Sequence, residues 1–478
     1  VTGAGGPPAV VSGLAKQTGK IMKNRARLLP LTAVGLALAM APALAQKAAP
    51  APKGIQKIDH IVVIYLENHS FDELFGSFPG ADGLANAGKR AIQVDKDGKP
   101  YKTLPAAIDT TKKPPGPDPR FPSDLPNRPF PINKYVPIGT KFGDLVHKYY
   151  HEIEQIDGGK MDKFALESDA AGMVMGYEDG SKLPLWQYAK EFTLADHFFH
   201  AALGGSYLNH FWTICACTPR FENAPDSMKS TFDDKGHFIK DAQVTPDGYG
   251  INTTFTVFTP HPADIDKSQL LPPQTMRTIG DELSEKNISW AWYSGGWNDA
   301  LAGKPGPNFQ FHHQPFAYFQ QFADGTEAKK QHLKDETDML AAIDQGNLPS
   351  VVFWKPYGDY NEHPGYTDTL SGDKHAVEVI EKIRKSPIWM STVIVVTYDE
   401  NGGFWDHVPP PKIDRWGPGS RVPTLVISPL ARKHFVDHTT YDTTSILKLI
   451  ETRYGLAALG TRDAKANNLT HALNLSSN

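Results

Sequence analysis

The sequence predicts an α/β protein with a mostly parallel central sheet, and three observations carry that prediction. The first is the β-branched run Val393, Ile394, Val395, Val396, Thr397, which reads as a strand buried on both faces. It stops at two adjacent acids, Asp399 and Glu400, followed by the turn-forming Asn401-Gly402-Gly403. The second is a matching run, Ile58 to Glu67, which also ends in an acid and is followed by Asn68. The third is the alternation of strand-like and helix-like stretches along the rest of the chain. In such sheets, ligands bind just beyond the carboxyl ends of the strands.

The elements follow in order. Residues 1–21 read as upstream sequence. Residues 22–45 read as a secretory signal: Met22, basic Lys23, Arg25 and Arg27, an apolar core from Leu28 to Ala41, Pro42, and the Ala43-Leu44-Ala45 exit. The apolar run is short for a membrane span, so a cleaved leader and a periplasmic or secreted protein are expected, with no permanent membrane anchor. Residues 46–57 are rich in Ala, Pro and Lys and read as a flexible leader ahead of one domain over 58–478. Residues 105–137 are dense in proline and predict a surface insertion, as a lid or a loop. Phe142 to Phe164 has a helical, polar pattern carrying His147 and His151, interrupted at Gly158-Gly159-Lys160-Met161-Asp162. A helix is predicted over Leu183–Lys190 and a strand over Phe192–Phe199. The turn Leu203-Gly204-Gly205-Ser206 then leads into a helix. Residues 221–275 are polar and turn-rich, a second insertion with a short strand at Thr253–Phe258. Beyond it the pattern predicts helices over Met276–Lys286, Leu333–Gln345, His375–Arg384 and Asp442–Tyr454. The last is capped by Asp442 or Thr443 and closed by Gly455. Strands are predicted at Ile288–Tyr293, Ser350–Trp354 and Val422–Ser428.

The formal charge of −4 leaves no basic field for nucleic acid. The two cysteines, Cys215 and Cys217, read as structural thiols, because bridges between i and i+2 are geometrically poor.

Glu67, Asn68, Asp399 and Glu400 are placed at strand ends where a hard or borderline divalent cation would offset their charge. Ser206 follows two glycines and opens a helix, so its hydroxyl is exposed at a helix N-terminus; as an alternative it is an ordinary cap. A cation near Ser206 would lower the pKa of the hydroxyl and polarise a phosphoryl oxygen. His147, His313 and His363 could protonate a leaving alkoxide or hold phosphoryl oxygens.

Six ordered segments then carry a resemblance: LENHSFDELFG (66–76), DLVH with GGKMD (144–147, 158–162), GGSYLNHFW (204–212), HQPF (313–316), NEHPG (361–365) and TYDENGGFWDHVPPP (397–411). Together they resemble the bacterial acid phosphatase and phospholipase C phosphoesterase family of the alkaline-phosphatase superfamily, from about Ile58 to Gly455. The resemblance implies a three-layer α/β/α sandwich around one divalent metal ion. Glu67, Asn68, Asp399 and Glu400 would be ligands, Ser206 both ligand and nucleophile, and His147, His313 and His363 the lining of the phosphoryl pocket. Oxygen ligands leave Ca²⁺, Mn²⁺, Zn²⁺ and iron open. Lipase-like members carry Thr in a GPTHPNR-like motif, whereas this chain has Ser206 in GGSYLNH, which resembles the acid phosphatase branch. The expected function is an exported phosphatase hydrolysing small phosphomonoesters through a phosphoserine, with an acidic optimum. A phospholipase C acting on phospholipid headgroups is the alternative. Two further readings are a metal-free serine esterase using His434 or His438 and a non-catalytic binding protein.

Overall fold

The computed structural model describes residues 51–476; the upstream and signal segments lie outside them. Eight strands form the central sheet: β1 His60–Leu66, β2 Thr193–Ala195, β3 Trp290–Ser294, β4 Leu333–Asp335, β5 Val351–Lys355, β6 Thr392–Tyr398, β7 Thr424–Ile427 and β8 Phe435–Asp437. Their spatial order is β4-β3-β5-β1-β6-β7-β2-β8. All neighbours are parallel except β7, which is antiparallel to both β6 and β2. The reversal has a local cause. Residues 399–423 contain no helix of the kind that usually carries a crossover, and the chain returns beside β6 in the opposite sense.

The two acid-ended runs seen in the sequence, β1 and β6, are adjacent at the middle of the sheet and almost wholly buried. Each Val, Ile or Leu placed there contributes about 1.5–3 kcal/mol of burial. One group of packed helices, α1 Pro184–Glu191 and α2 Thr369–Lys385, and another, α3 Ser206–Cys215 and α4 Thr444–Tyr454, flank the sheet. The architecture is the three-layer α/β/α sandwich. Register then positions the site: Leu66 pairs with Tyr398, and Ile64 pairs with Trp354, so β1, β5 and β6 end level with one another.

Several local expectations change. Ile55–Lys57 forms a 3₁₀ turn with Ile55 buried in the core, so this part of the expected flexible leader is packed. Of the helical pattern at 142–164, Tyr149–Ile156 is α-helical; Asp157, in the left-handed region at φ 44°, ends it ahead of the expected interruption, and His147 stands in the loop before it. Thr253–Phe258 makes a single bridge, Thr256 to Leu271, instead of a strand. The proline-rich insertion has a packed core of its own. Phe121, Leu125, Phe130 and Ile132 pack with Met161 and Phe164 into a second apolar cluster, seated on Phe404 and Trp405. Cys215 and Cys217 are joined as a disulfide. Ala216 takes φ 47°, and this left-handed turn brings the two Cα atoms to 5.1 Å, within bridging range.

Candidate functional site

Glu67 and Asn68 leave β1, and Asp399 and Glu400 leave β6, at the same level. Glu67, Asn68, Asp399 and Glu400 are all fully buried. Asn68 sits in the left-handed region, φ 66°, which turns its side chain back over the strand end. Its backbone N–H donates to Asp399 Oδ1 at 3.3 Å. Gly402 permits the close packing of the two loops: a Cβ there would lie 2.2 Å from the Asn68 carbonyl oxygen.

Ser206 is the first residue of α3, and Gly205 takes the cap position, which removes the reading of Ser206 as an ordinary cap. The helix therefore points its positive end at the acids. The turn is held from outside the helix. Glu152 Oε2 accepts the Gly204 amide at 2.6 Å, and its Oε1 accepts from Ser420 N at 2.9 Å and faces His200 Nε2 at 3.0 Å. Asn209 ties the same turn from inside, donating to the carbonyls of Ala202, Gly204 and Gly205.

Ser206 Oγ is 3.3 Å from Asn68 Oδ1, 3.4 Å from Glu67 Oε2 and 3.4 Å from Glu400 Oε1. One hydroxyl proton cannot satisfy three acceptors, and each separation exceeds the 2.7–2.8 Å of a good O–H···O bond. The donor set is all oxygen, convergent, buried and rich in negative charge, and it fits a divalent cation. Burial, joined by the Glu67 charge, pushes the Asp399 carboxyl up to about 6. Burial pushes the Glu400 carboxyl up to about 8, with His147 pulling the other way and Asp399 adding to the rise. Such shifts mark acids placed together more closely than solvent alone would permit.

Histidines line the side open to solvent. His363 Nε2 is 3.6 Å from Glu67 Oε2, His147 Nε2 is 3.7 Å from Glu400 Oε1, and His313 Nε2 is 2.5 Å from Glu67 Oε1. Nδ1 of His147 is 2.5 Å from the Leu145 carbonyl and Nδ1 of His363 is 2.5 Å from the Pro364 carbonyl, which leaves each Nε2 turned to the site. Burial lowers the affinity of His147 for its proton, but the charges of Glu400 and Asp144 outweigh it and lift the imidazole to about 9. Outside this group opens a cavity of about 430 Å³, with Asp144, Asp169, Asp241, His312 and Tyr366 among its walls.

All eight residues singled out from the sequence, Glu67, Asn68, His147, Ser206, His313, His363, Asp399 and Glu400, thus meet in one place. His434 and His438 do not line the cavity; they pair with Lys190 O and Asp196 instead. Sequence reasoning missed Lys355. Its Nζ lies 2.7 Å from Glu67 Oε1 and 3.4 Å from Asp399 Oδ2 in a fully buried position. A signal existed, since Lys355 closes the apolar run VVFWK just as Glu67 and Asp399 close theirs. It also missed His210, on the buried face of α3, whose ring stacks on His313 at 5.2 Å.

The chain is 24% identical over 506 aligned residues to phospholipase C B of Mycobacterium tuberculosis, covering 94% of this chain and 84% of the relative. It is 25% identical to the non-hemolytic phospholipase C of Burkholderia pseudomallei, covering 94% of this chain and 64% of the relative. Among solved structures, a protein in the alkaline phosphatase superfamily from Vibrio parahaemolyticus aligns at TM-score 0.34 and 11% identity, covering 62% of this chain and 66% of that one. The Phosphoesterase family model matches residues 58–457, which span every element of the site described above. This chain belongs to the phosphoesterase family and is a phosphoester hydrolase.

Proposed function

We propose that the chain hydrolyses small phosphomonoesters with Ser206 as nucleophile. The observation that carries this is the placement of Ser206 Oγ between three buried oxygen ligands and a histidine-lined cavity. A divalent cation held by Glu67, Asn68, Ser206, Asp399 and Glu400 would supply Lewis acidity, lowering the pKa of the hydroxyl and offsetting phosphoryl charge. Lys355 keeps Glu67 and Asp399 partly neutralised and directed at the strand ends. Ser206, its hydroxyl proton released to solvent as it ionises, attacks phosphorus through Oγ in line with the leaving oxygen. His147 and His363, with Nε2 turned to the site, hold the equatorial oxygens, and one of them gives its proton to the leaving alkoxide. His313 is drawn towards Glu67, which favours the other two for that step. The same imidazole then takes a proton from the water that cleaves the phosphoserine. Of the two, His363, whose proton affinity burial lowers, is protonated only on the acid side, and donation from it supports an acidic optimum; His147, lifted to about 9, keeps its proton past neutrality.

The polar cavity, with Asp144, Asp169 and Asp241 on its walls, suits small hydrophilic alcohols. A second reading is phospholipase C activity, favoured by the names of relatives that match 94% of the chain. The leader pattern at 22–45 supports export; among the described residues no helix is long and apolar enough to cross a membrane.

The test is turnover of a panel of soluble phosphomonoesters and of phosphatidylcholine vesicles, each with chelator and after metal add-back. Hydrolysis of the monoesters that is lost with chelator and regained with metal supports the proposal. Release of phosphocholine with no monoester turnover would replace it with the second reading. Full activity in chelator would remove the metal-dependent mechanism.

A further inference from the structure

At one edge of the sheet, β2 and β8 run parallel, with Ala195 paired to Asp437. Asp196 and His438 therefore leave the two strands side by side, and His197 follows. Asp196 is fully buried, and each of its oxygens meets one imidazole: Oδ1 with His197 Nδ1 at 2.9 Å, and Oδ2 with His438 Nδ1 at 2.8 Å. Asp82 closes the group. Its amide donates to Asp196 Oδ2 at 2.7 Å, and its own Oδ2 is 3.3 Å from His197 Nε2. One donor atom from each of Asp196, His197 and His438 lies within 4.8 Å of the others. The side chains of His197 and His438 are 22% and 60% exposed, so an ion can reach them from solvent.

Charge distinguishes this group from the one behind it. Asp72, Asp406 and His407 also bring donor atoms together, but there Arg421 fills the space, 2.8 Å from Asp406 and 3.2 Å from Asp72. Arg421 donates to the backbone carbonyls of Asp82 and Asp196, and its charge acts on the Asp82 carboxylate without an ion-pair contact. Among the described residues, no lysine or arginine forms an ion pair with the side chain of Asp82 or Asp196. The guanidinium thus pairs with the two inner carboxylates, while the outer two meet imidazoles, with the Asn86 side-chain amide also donating to Asp82 Oδ1 at 2.7 Å.

We propose that Asp196, His197 and His438 form a cation site, separate from the Ser206 centre, for a borderline divalent ion of the zinc type. Two imidazole nitrogens and a carboxylate are the donor set that such ions take, with a remaining position for water or for Asp82. The buried Asp196, fixed by the Asp82 amide, is the rigid member, and the exposed imidazoles close on the ion from the solvent side.

The test uses the full chain, stripped with chelator, equilibrated with Zn²⁺ alone, dialysed and assayed for zinc per chain. The parent is expected to hold one ion more than the His197→Ala/His438→Ala variant, while that variant keeps its phosphoester turnover within about twofold. The Asp399→Asn/Glu400→Gln variant is expected to retain this ion. If the double histidine variant loses its far-UV CD spectrum, His438→Ala, at the most exposed position, takes its place, with zinc affinity expected to fall at least about tenfold. Equal zinc content in parent and histidine variant, or unchanged affinity in His438→Ala, overturns the proposal.

Discussion

Lys355 Nζ lies 2.7 Å from Glu67 Oε1, and both side chains are fully buried. The same ammonium is 3.4 Å from Asp399 Oδ2, so one lysine offsets acids from two different strands. Removing one partner of a buried pair leaves the other charge uncompensated. Lys355→Met is expected to destabilise the metal-free chain by about 3–5 kcal/mol. A saturating divalent cation should restore most of that loss. Urea unfolding with and without chelator measures both; an equal loss under the two conditions would separate Lys355 from the metal-binding acids.

Ser206→Ala keeps the helix start, because Gly205 holds the cap position. The variant should fold normally and lose on the order of 10³-fold or more in kcat. Acid-quenched mass spectrometry should detect phosphoserine in the parent and none in the variant. Retention of most activity would end the covalent mechanism.

Glu152 acts on the nucleophile only through the turn that carries it, by accepting the Gly204 amide at 2.6 Å. Glu152→Gln is expected to lower kcat by about 10²-fold, the scale of a 1 Å misplacement, with KM changed little. A proportional rise in KM with kcat intact would assign Glu152 to substrate binding instead.

Gly402→Ala would put a methyl group 2.2 Å from the Asn68 carbonyl at φ 61°. The backbone strain alone costs about 1–3 kcal/mol. Because Asn68 is forced aside, bound metal per chain should fall as well, and metal analysis after dialysis reads this directly. Unchanged metal content would show that Asn68 tolerates the shift.

Glu451 gives a pH dependence remote from the site. Burial, reinforced by a hydrogen bond with Asp463, pushes its carboxyl up to about 9 in the folded chain. A folded-state pKa above the unfolded value of about 4.3 means the native state binds the extra proton. Its stabilising contribution is whole below about pH 4.3, falls as pH rises, and is gone above about 9. Glu451→Gln removes this dependence, so the variant should gain thermal stability relative to the parent between pH 5 and pH 9. A constant difference in Tm across that range would contradict the assignment.

The sequence by itself determined the sheet class and its central strands, because a buried parallel strand writes a continuous apolar run into a local stretch. It also marked Glu67-Asn68, Ser206 and Asp399-Glu400, since an acid or hydroxyl at the end of such a run is a local signature. Other features needed the tertiary structure. The meeting of those residues depends on the register of strands more than 300 positions apart, Leu66 with Tyr398, which no local pattern encodes. Lys355 was written in the same way as the acids, yet its role as their counter-charge follows only from that register. The core of the proline-rich insertion draws on scattered residues such as Phe121, Met161 and Trp405, which share no periodicity. The Cys215–Cys217 bridge turned on one backbone angle, at Ala216. Hydrophobic patterning acts over a few residues, whereas charge neutralisation and packing act between groups that folding alone makes neighbours.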